Sequence, residues 1–187
     1  MSVLEIRVLG DPVLRQETKP VQVVTDDLRK LVDDMFETMH AAKGIGLAAP
    51  QVGRVERVAV IDVEGGTQPL VLINPEIVSA SADTAKSEEG CLSIPDVFGD
   101  VERPSGVVVR ALDREGKPFE VEATELLARC IQHENDHLHG KLFIDHLSVL
   151  KRRAALARWS KQKDRYPGFI RRMTAEEVAE HHHAEDL

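Results

Sequence analysis

Leu28, Leu31, Val32, Met35 and Met39 recur three or four residues apart, which predicts a helix over 25–42. Asp26 and Asp27 fall in its first turn, and Lys43-Gly44 closes it. Arg57 to Val63 and Leu70 to Ile73 read as strands joined through Gly65-Gly66. Gly106 to Leu112 and Phe119 to Ala123 read as a hairpin around Asp113-Arg114-Glu115-Gly116. Thr124 is placed to cap a helix over 125–139, stopped by Gly140. Ser148 opens a last, basic helix that ends before Pro167, with Val149, Leu150, Leu156 and Trp159 expected to pack it on the body. Strands gather in the middle and helices at both ends, the pattern of an α+β fold with antiparallel sheets.

The chain has 187 residues, 42% hydrophobic and 30% charged, the balance of one globular domain rather than a disordered or collagen-like chain. No apolar run approaches the ~20 residues that span a bilayer. The N-terminal residues lack the basic start and apolar stretch of a signal peptide. Cytoplasmic residence is therefore expected, with no membrane partner. Cys91 and Cys130 read as thiols or metal ligands before they read as a disulfide. Net charge is −8, unevenly spread. Residues 148–172 hold nine Lys and Arg against Asp164 alone, a net +8 that leaves −16 on the rest. The acidic body should repel nucleic acid, and no specific DNA site is expected, whereas the basic segment could attract phosphate.

His133-Glu134-Asn135-Asp136-His137 is the sharpest chemical signal. Histidines at i and i+4 lie on one helical face and can chelate one ion, and Glu134 lies ~60° from His137 around the axis, where it can handle protons of a water. A catalytic site of this kind needs a third protein ligand and an open position. The longer zinc-protease pattern would require histidine at 143, where Phe143 stands. Cys130 shares the histidines' face with Leu126, but it is ~10 Å of axial rise from His137. It is better read as a small buried apolar residue beside Leu126. Cys91, after Gly90 and between predicted strands, is the better third ligand once paired with the two-histidine helix. The small-residue run from Gly44 to Gly53 permits close backbone approach, lacks the spacing of a phosphate loop, and contains one side-chain amide donor, Gln51.

Gly44 to Gln51, Glu89 to Ser93 and His133 to His137 together resemble the three motifs of the peptide deformylase family: Gly-x-Gly-x-Ala-Ala-x-Gln, Glu-Gly-Cys-x-Ser and His-Glu-x-x-His. The resemblance covers residues 1–165 as a catalytic domain and leaves 166–187, with His181-His182-His183, as a tail expected to be flexible. It implies antiparallel strands around a central His-Glu-x-x-His helix and removal of the formyl group from N-formylmethionyl nascent polypeptides. It implies Cys91, His133 and His137 as metal ligands and Glu134 as general base and acid. Gln51 and the backbone N–H of Leu92 become the oxyanion donors. Ile45, Gly46, Leu126 and Cys130 become the methionine pocket. Arg129 and Ser87 stand where some relatives carry isoleucine, which implies a more polar rim. A Cys-His-His set alone suggests zinc, whereas the resemblance implies Fe2+, with Zn2+, Ni2+ or Co2+ as substitutes. It also implies docking near the ribosomal exit tunnel through the basic helix 148–165. Two other classes stand beside this reading: a zinc protease and a structural metal module without catalysis.

Overall fold

Thr25 caps helix α1 (Asp26–Ala41), accepting from the Leu28 N–H at 3.2 Å, and all five periodic apolar residues of the helix are buried. The computed structural model describes residues 2–63 and 68–179. The expected Gly65-Gly66 connection and His181 to His183 lie outside the described residues. Strands follow as β1 (Ile6–Arg7), β2 (Gly46–Ala48), β3 (Val58–Ile61), β4 (Leu70–Ala80), β5 (Thr84–Cys91), β6 (Ile94–Pro104), β7 (Gly106–Leu112), β8 (Pro118–Thr124) and β9 (Ile170–Arg171). Helices α2 (Glu125–Leu138) and α3 (Val149–Ser160) complete the elements that matter for the site.

Every strand pairing is antiparallel. β2-β3-β4-β7-β8 form one five-stranded sheet, β5-β6 a hairpin and β1-β9 a two-stranded clasp. The mixed α+β class is therefore as the chain pattern indicates. Asp113 builds the β7–β8 turn by accepting from the N–H groups of Glu115 and Lys117 at 2.9 and 2.8 Å. β4 runs seven residues past the expected stop at Ile73. Asn74-Pro75 looks like a terminator, but register shifts absorb it, with Asn74 at φ 52° and its side-chain amide bridging the backbone of Val21.

Helix α1 covers β2 and β3, and α2 packs on β2, β3, β7 and β8 as well as β6. Ala128, Cys130 and Ile131 of α2 join Ile61, Leu72, Val107 and Val109 in one core cluster. Thr124 precedes α2 but its hydroxyl makes no capping bond. Gly140 ends the helix as expected, its N–H reaching the His137 carbonyl.

Ser148 caps α3, but of the four residues expected to pack it only Trp159 is buried. Ala155 and Trp159 are the buried residues, whereas Val149 and Leu150 are 77% and 76% exposed and Leu156 is also exposed. Trp159 sets the inward face, and Leu150, nine residues earlier, is half a turn round the helix from it. Two of the cations expected to point outward pair with the body instead: Lys151 with Asp100 at 2.9 Å and Arg152 with Asp145 at 3.2 Å.

Residues 166–171, placed in the tail on sequence alone, pack against the domain. The Tyr166 ring stacks on Trp159 with centroids 5.7 Å apart, and β9 pairs with β1.

Candidate active site

Helix α2 presents His133, Glu134 and His137 toward β2 and the end of β5. Cys91 is the last residue of β5 rather than part of a loop between strands. Its Sγ lies 3.2 Å from His137 Nε2, and the ligand atoms of Cys91, His133 and His137 all fall within 4.8 Å of one another. A single ion with ligands at ~2.0–2.3 Å needs a spacing of this order. Phe143, buried, stacks on the His133 ring with centroids 6.4 Å apart, so the position a metal-binding protease gives to a third histidine is occupied by core.

A carboxylate fixes the orientation of the His133 ring. His133 Nδ1 meets Glu89 at 3.0 Å, which leaves Nε2 toward Cys91. Glu89 is itself gripped by Arg103 through two bonds of 2.6 and 3.0 Å and by Arg129 at 2.7 Å. Arg103 continues to Asp136 at 2.9 Å, and Asp136 to His146 at 2.7 Å. Burial works against the Glu89 charge, but hydrogen bonds from His133 and Arg103 outweigh it and hold the carboxyl well below its usual range. Burial likewise opposes charge on His133, and hydrogen bonds to Cys91 and Glu89 overcome it, raising its pKa. His137 is pushed well down by burial and by the neighbouring His133 charge, which leaves it neutral, the form that binds metal.

Glu134 is buried and its Oε2 has no hydrogen-bond partner among the described residues. Burial pushes its pKa up to about 7 against the opposing pull of His133. A carboxyl poised there can take and return a proton near neutrality. A thiol and two imidazoles that converge, with an unsatisfied carboxylate oxygen beside them, fit a divalent ion with its water.

Gly46 of β2 lies against this carboxylate. A Cβ there would stand 2.4 Å from Glu134 Oε1 and 2.7 Å from Cys130 Sγ, so only glycine permits the approach. Gln51 is buried in the short turn after β2. Its Oε1 accepts from the Ala48 N–H at 2.8 Å, and its Nε2 donates to Ser93 Oγ at 3.2 Å and faces Cys91 Sγ at 3.6 Å. The amide donor is thus fixed beside the thiol.

A cavity of about 770 Å³ opens onto these groups. Ile45, Gly46, Leu126 and Cys130 all line it, together with Leu92 and Phe98. Ile45 and Leu126 are 40% and 50% exposed, apolar surface turned to the cleft. Cys130 is buried, its Sγ donating to the Ile45 carbonyl at 3.4 Å, and burial pushes its thiol pKa well up. Among the described residues it is not in the cluster formed by Cys91, His133 and His137. Arg129 lines the cavity and is anchored by Glu89 and the carbonyls of Val101 and Ala85, whereas Ser87 is not part of the lining.

Motif spacing does not mark Glu89 as the centre of this network, because no alternation reveals β5. Nor does it mark Ser93 behind Gln51 or the contribution of residues 165–177 to the cavity wall.

Residues 3–153 match the family described as polypeptide deformylase. A peptide deformylase of Alkalilimnicola ehrlichii is 57% identical over 155 residues, covering 82% of this chain and 86% of the relative. The crystal structure of a peptide deformylase from Legionella pneumophila superposes with a TM-score of 0.83 at 47% identity, over 87% of this chain and 96% of that one. A peptide deformylase from Synechococcus elongatus, solved in complex with actinonin, superposes with a TM-score of 0.80 at 48% identity, over 84% and 88% of the two chains.

Proposed function

The chain belongs to the peptide deformylase family, and from that membership we infer that it hydrolyses the N-formyl group of formylmethionine at the start of new polypeptides, releasing formate. The observation that carries the reading is the convergence of Cys91, His133 and His137 beside buried Glu134, whose Oε2 has no hydrogen-bond partner among the described residues. Formate release from a formyl-methionyl peptide, with metal content measured on the same sample, tests it. Cleavage of internal peptide bonds instead would favour a protease.

We assign Cys91, His133 and His137 as ligands of one divalent ion, with helix α2 as the scaffold at the centre of the catalytic unit, residues 1–165. The resemblance favours Fe2+, and Zn2+, Ni2+ or Co2+ suit the same donors. Such an ion, when bound, lowers the pKa of a water and polarises a carbonyl oxygen. Glu134 removes a proton from the attacking water and later delivers it to the methionine nitrogen as the C–N bond breaks, so formate and a free amino terminus leave in balance. Gln51 Nε2 and the Leu92 N–H donate to the formyl oxygen as its negative charge grows. Ile45, Gly46, Leu126 and Cys130 receive the methionine side chain.

Gln51→Ala is expected to lower kcat ~10²–10³-fold while KM changes little, because such a donor matters most in the transition state. Steady-state kinetics check this, and an effect confined to KM would place Gln51 in ground-state binding.

The substrate is made on ribosomes, and we read the chain as a cytoplasmic protein that docks there through α3. No helix among the described residues is long and apolar enough to cross a membrane. With Lys151 and Arg152 tied to the body, the outward cations of α3 are Arg153, Arg158 and Lys161. Reversing these three to glutamate is expected to weaken ribosome association, and the wild-type association should fall steeply with salt. Co-sedimentation across a salt series checks both, and a salt-independent association would end this reading.

A further inference from the structure

We propose that residues 165–177, beyond the segment matched by the family, form a subsite for the polypeptide downstream of the formylmethionine, one that favours acidic side chains; this rests on the deformylase reading. The cavity that begins at Glu134 and Cys91 continues past Phe98 to Arg165, Tyr166, Arg171, Arg172 and Glu177. A formyl group at the metal ligands and a methionine beside Ile45 and Leu126 occupy the inner end. A peptide advances ~3.3 Å per residue when extended, so its following residues enter the outer part.

That outer wall is built into the fold. The Val8 N–H donates to the Phe169 carbonyl at 2.9 Å, and β9 pairs with β1. Gly10, at φ 120°, receives the Phe169 ring, where a Cβ would stand 2.2 Å from a ring carbon. Tyr166 stacks on Trp159, which ties the segment to the core, and just before it Gln162 donates to the Pro95 carbonyl at the start of β6.

Along this wall Arg165, Arg171 and Arg172 outnumber the two lining carboxylates, Asp96 and Glu177. Glu177 is engaged by Arg171 at 3.1 Å and by the Thr174 N–H at 2.8 Å. Arg172 meets Glu5, which lies outside the cavity lining, at 2.8 Å. Arg165 is 67% exposed and its only ion-pair contact among the described residues is a loose 3.8 Å approach to Asp96, itself 73% exposed. An exposed pair of that length has little hold on either partner, so the Arg165 guanidinium is available to an incoming carboxylate.

The test compares kcat/KM for formyl-Met-Ala-Asp-Asp and formyl-Met-Ala-Lys-Lys in the metal-loaded full-length protein. The wild type is expected to favour the aspartate peptide about 3- to 5-fold at low salt, a preference that shrinks as salt screens it. Arg165→Glu should abolish or invert the ratio, and Arg165→Lys should preserve its direction. Formyl-Met-Ala lacks the charged residues and reports the deformylase reading alone. Its failure to release formate would overturn both readings. Turnover of formyl-Met-Ala with equal rates on the two tetrapeptides, or a ratio unmoved by Arg165→Glu, would overturn the subsite and leave the activity standing.

Discussion

Glu134→Gln is expected to keep the metal and lose turnover by ~10²–10⁴, the contribution of a positioned general base. Glutamine preserves the shape that Gly46 closes over, and Cys91, His133 and His137 are untouched, so the ligand set survives. What disappears is the carboxyl whose pKa burial raises to about 7. An amide in that position cannot accept a proton from water or return one to the leaving nitrogen. Formate release at saturating formyl-Met-Ala, normalised to bound metal, measures the loss. Near-wild-type turnover in a fully metallated variant would remove Glu134 from the proton-handling role.

Cys91→Ala should lose both metal and activity, whereas Cys130→Ala should keep the metal. The two thiols differ in surroundings: Cys91 faces His137 Nε2 at 3.2 Å, and Cys130 faces a backbone carbonyl within a core cluster. An ion at ~1,000 times its Kd contributes ~4.1 kcal/mol to stability. The wild type should therefore melt at a lower temperature after chelation, and Cys91→Ala should be indifferent to it. Elemental analysis with paired melting curves distinguishes the variants. Metal retained without Cys91 but lost without Cys130 would reverse the assignment.

The legible parts of the chain were those where periodicity and chemistry coincide. α1 and the β7–β8 hairpin announce themselves because one face of each is apolar and their ends carry capping or turn residues. The β5–β6 hairpin was not legible, although it carries Cys91. Thr84 to Glu88 are all exposed polar or small residues, so no alternation marks a strand whose existence depends on its partner. β4 was cut short because Asn74-Pro75 is a local stop signal that bulged pairing with β7 overrides. In α3, apolar composition suggested contact, but only the angular position relative to Trp159 decides which apolar residues are covered. The set of Cys91, His133 and His137 is what the resemblance to the family implies, and their ligand atoms lie within 4.8 Å of one another. Glu89 as the hub between His133, Arg103 and Arg129 required knowing that β5 returns across α2.

The clasp between β1 and β9 also bears on when the molecule becomes complete. Its two strands meet across more than 160 residues of sequence, a closure whose entropic cost grows only slowly with length but must be met before the pairing gives anything back. The helix that carries His133 and His137 and its sheet can assemble from residues made before Ile170 and Arg171. Ile6 and Val8 are fully buried, but Phe169 and Arg172 are exposed and the β9 residues only half-buried. β9 therefore belongs to the part of the protein that forms last and opens first. Cys91, His133 and His137 can thus come together before the outer wall of the cleft is in place.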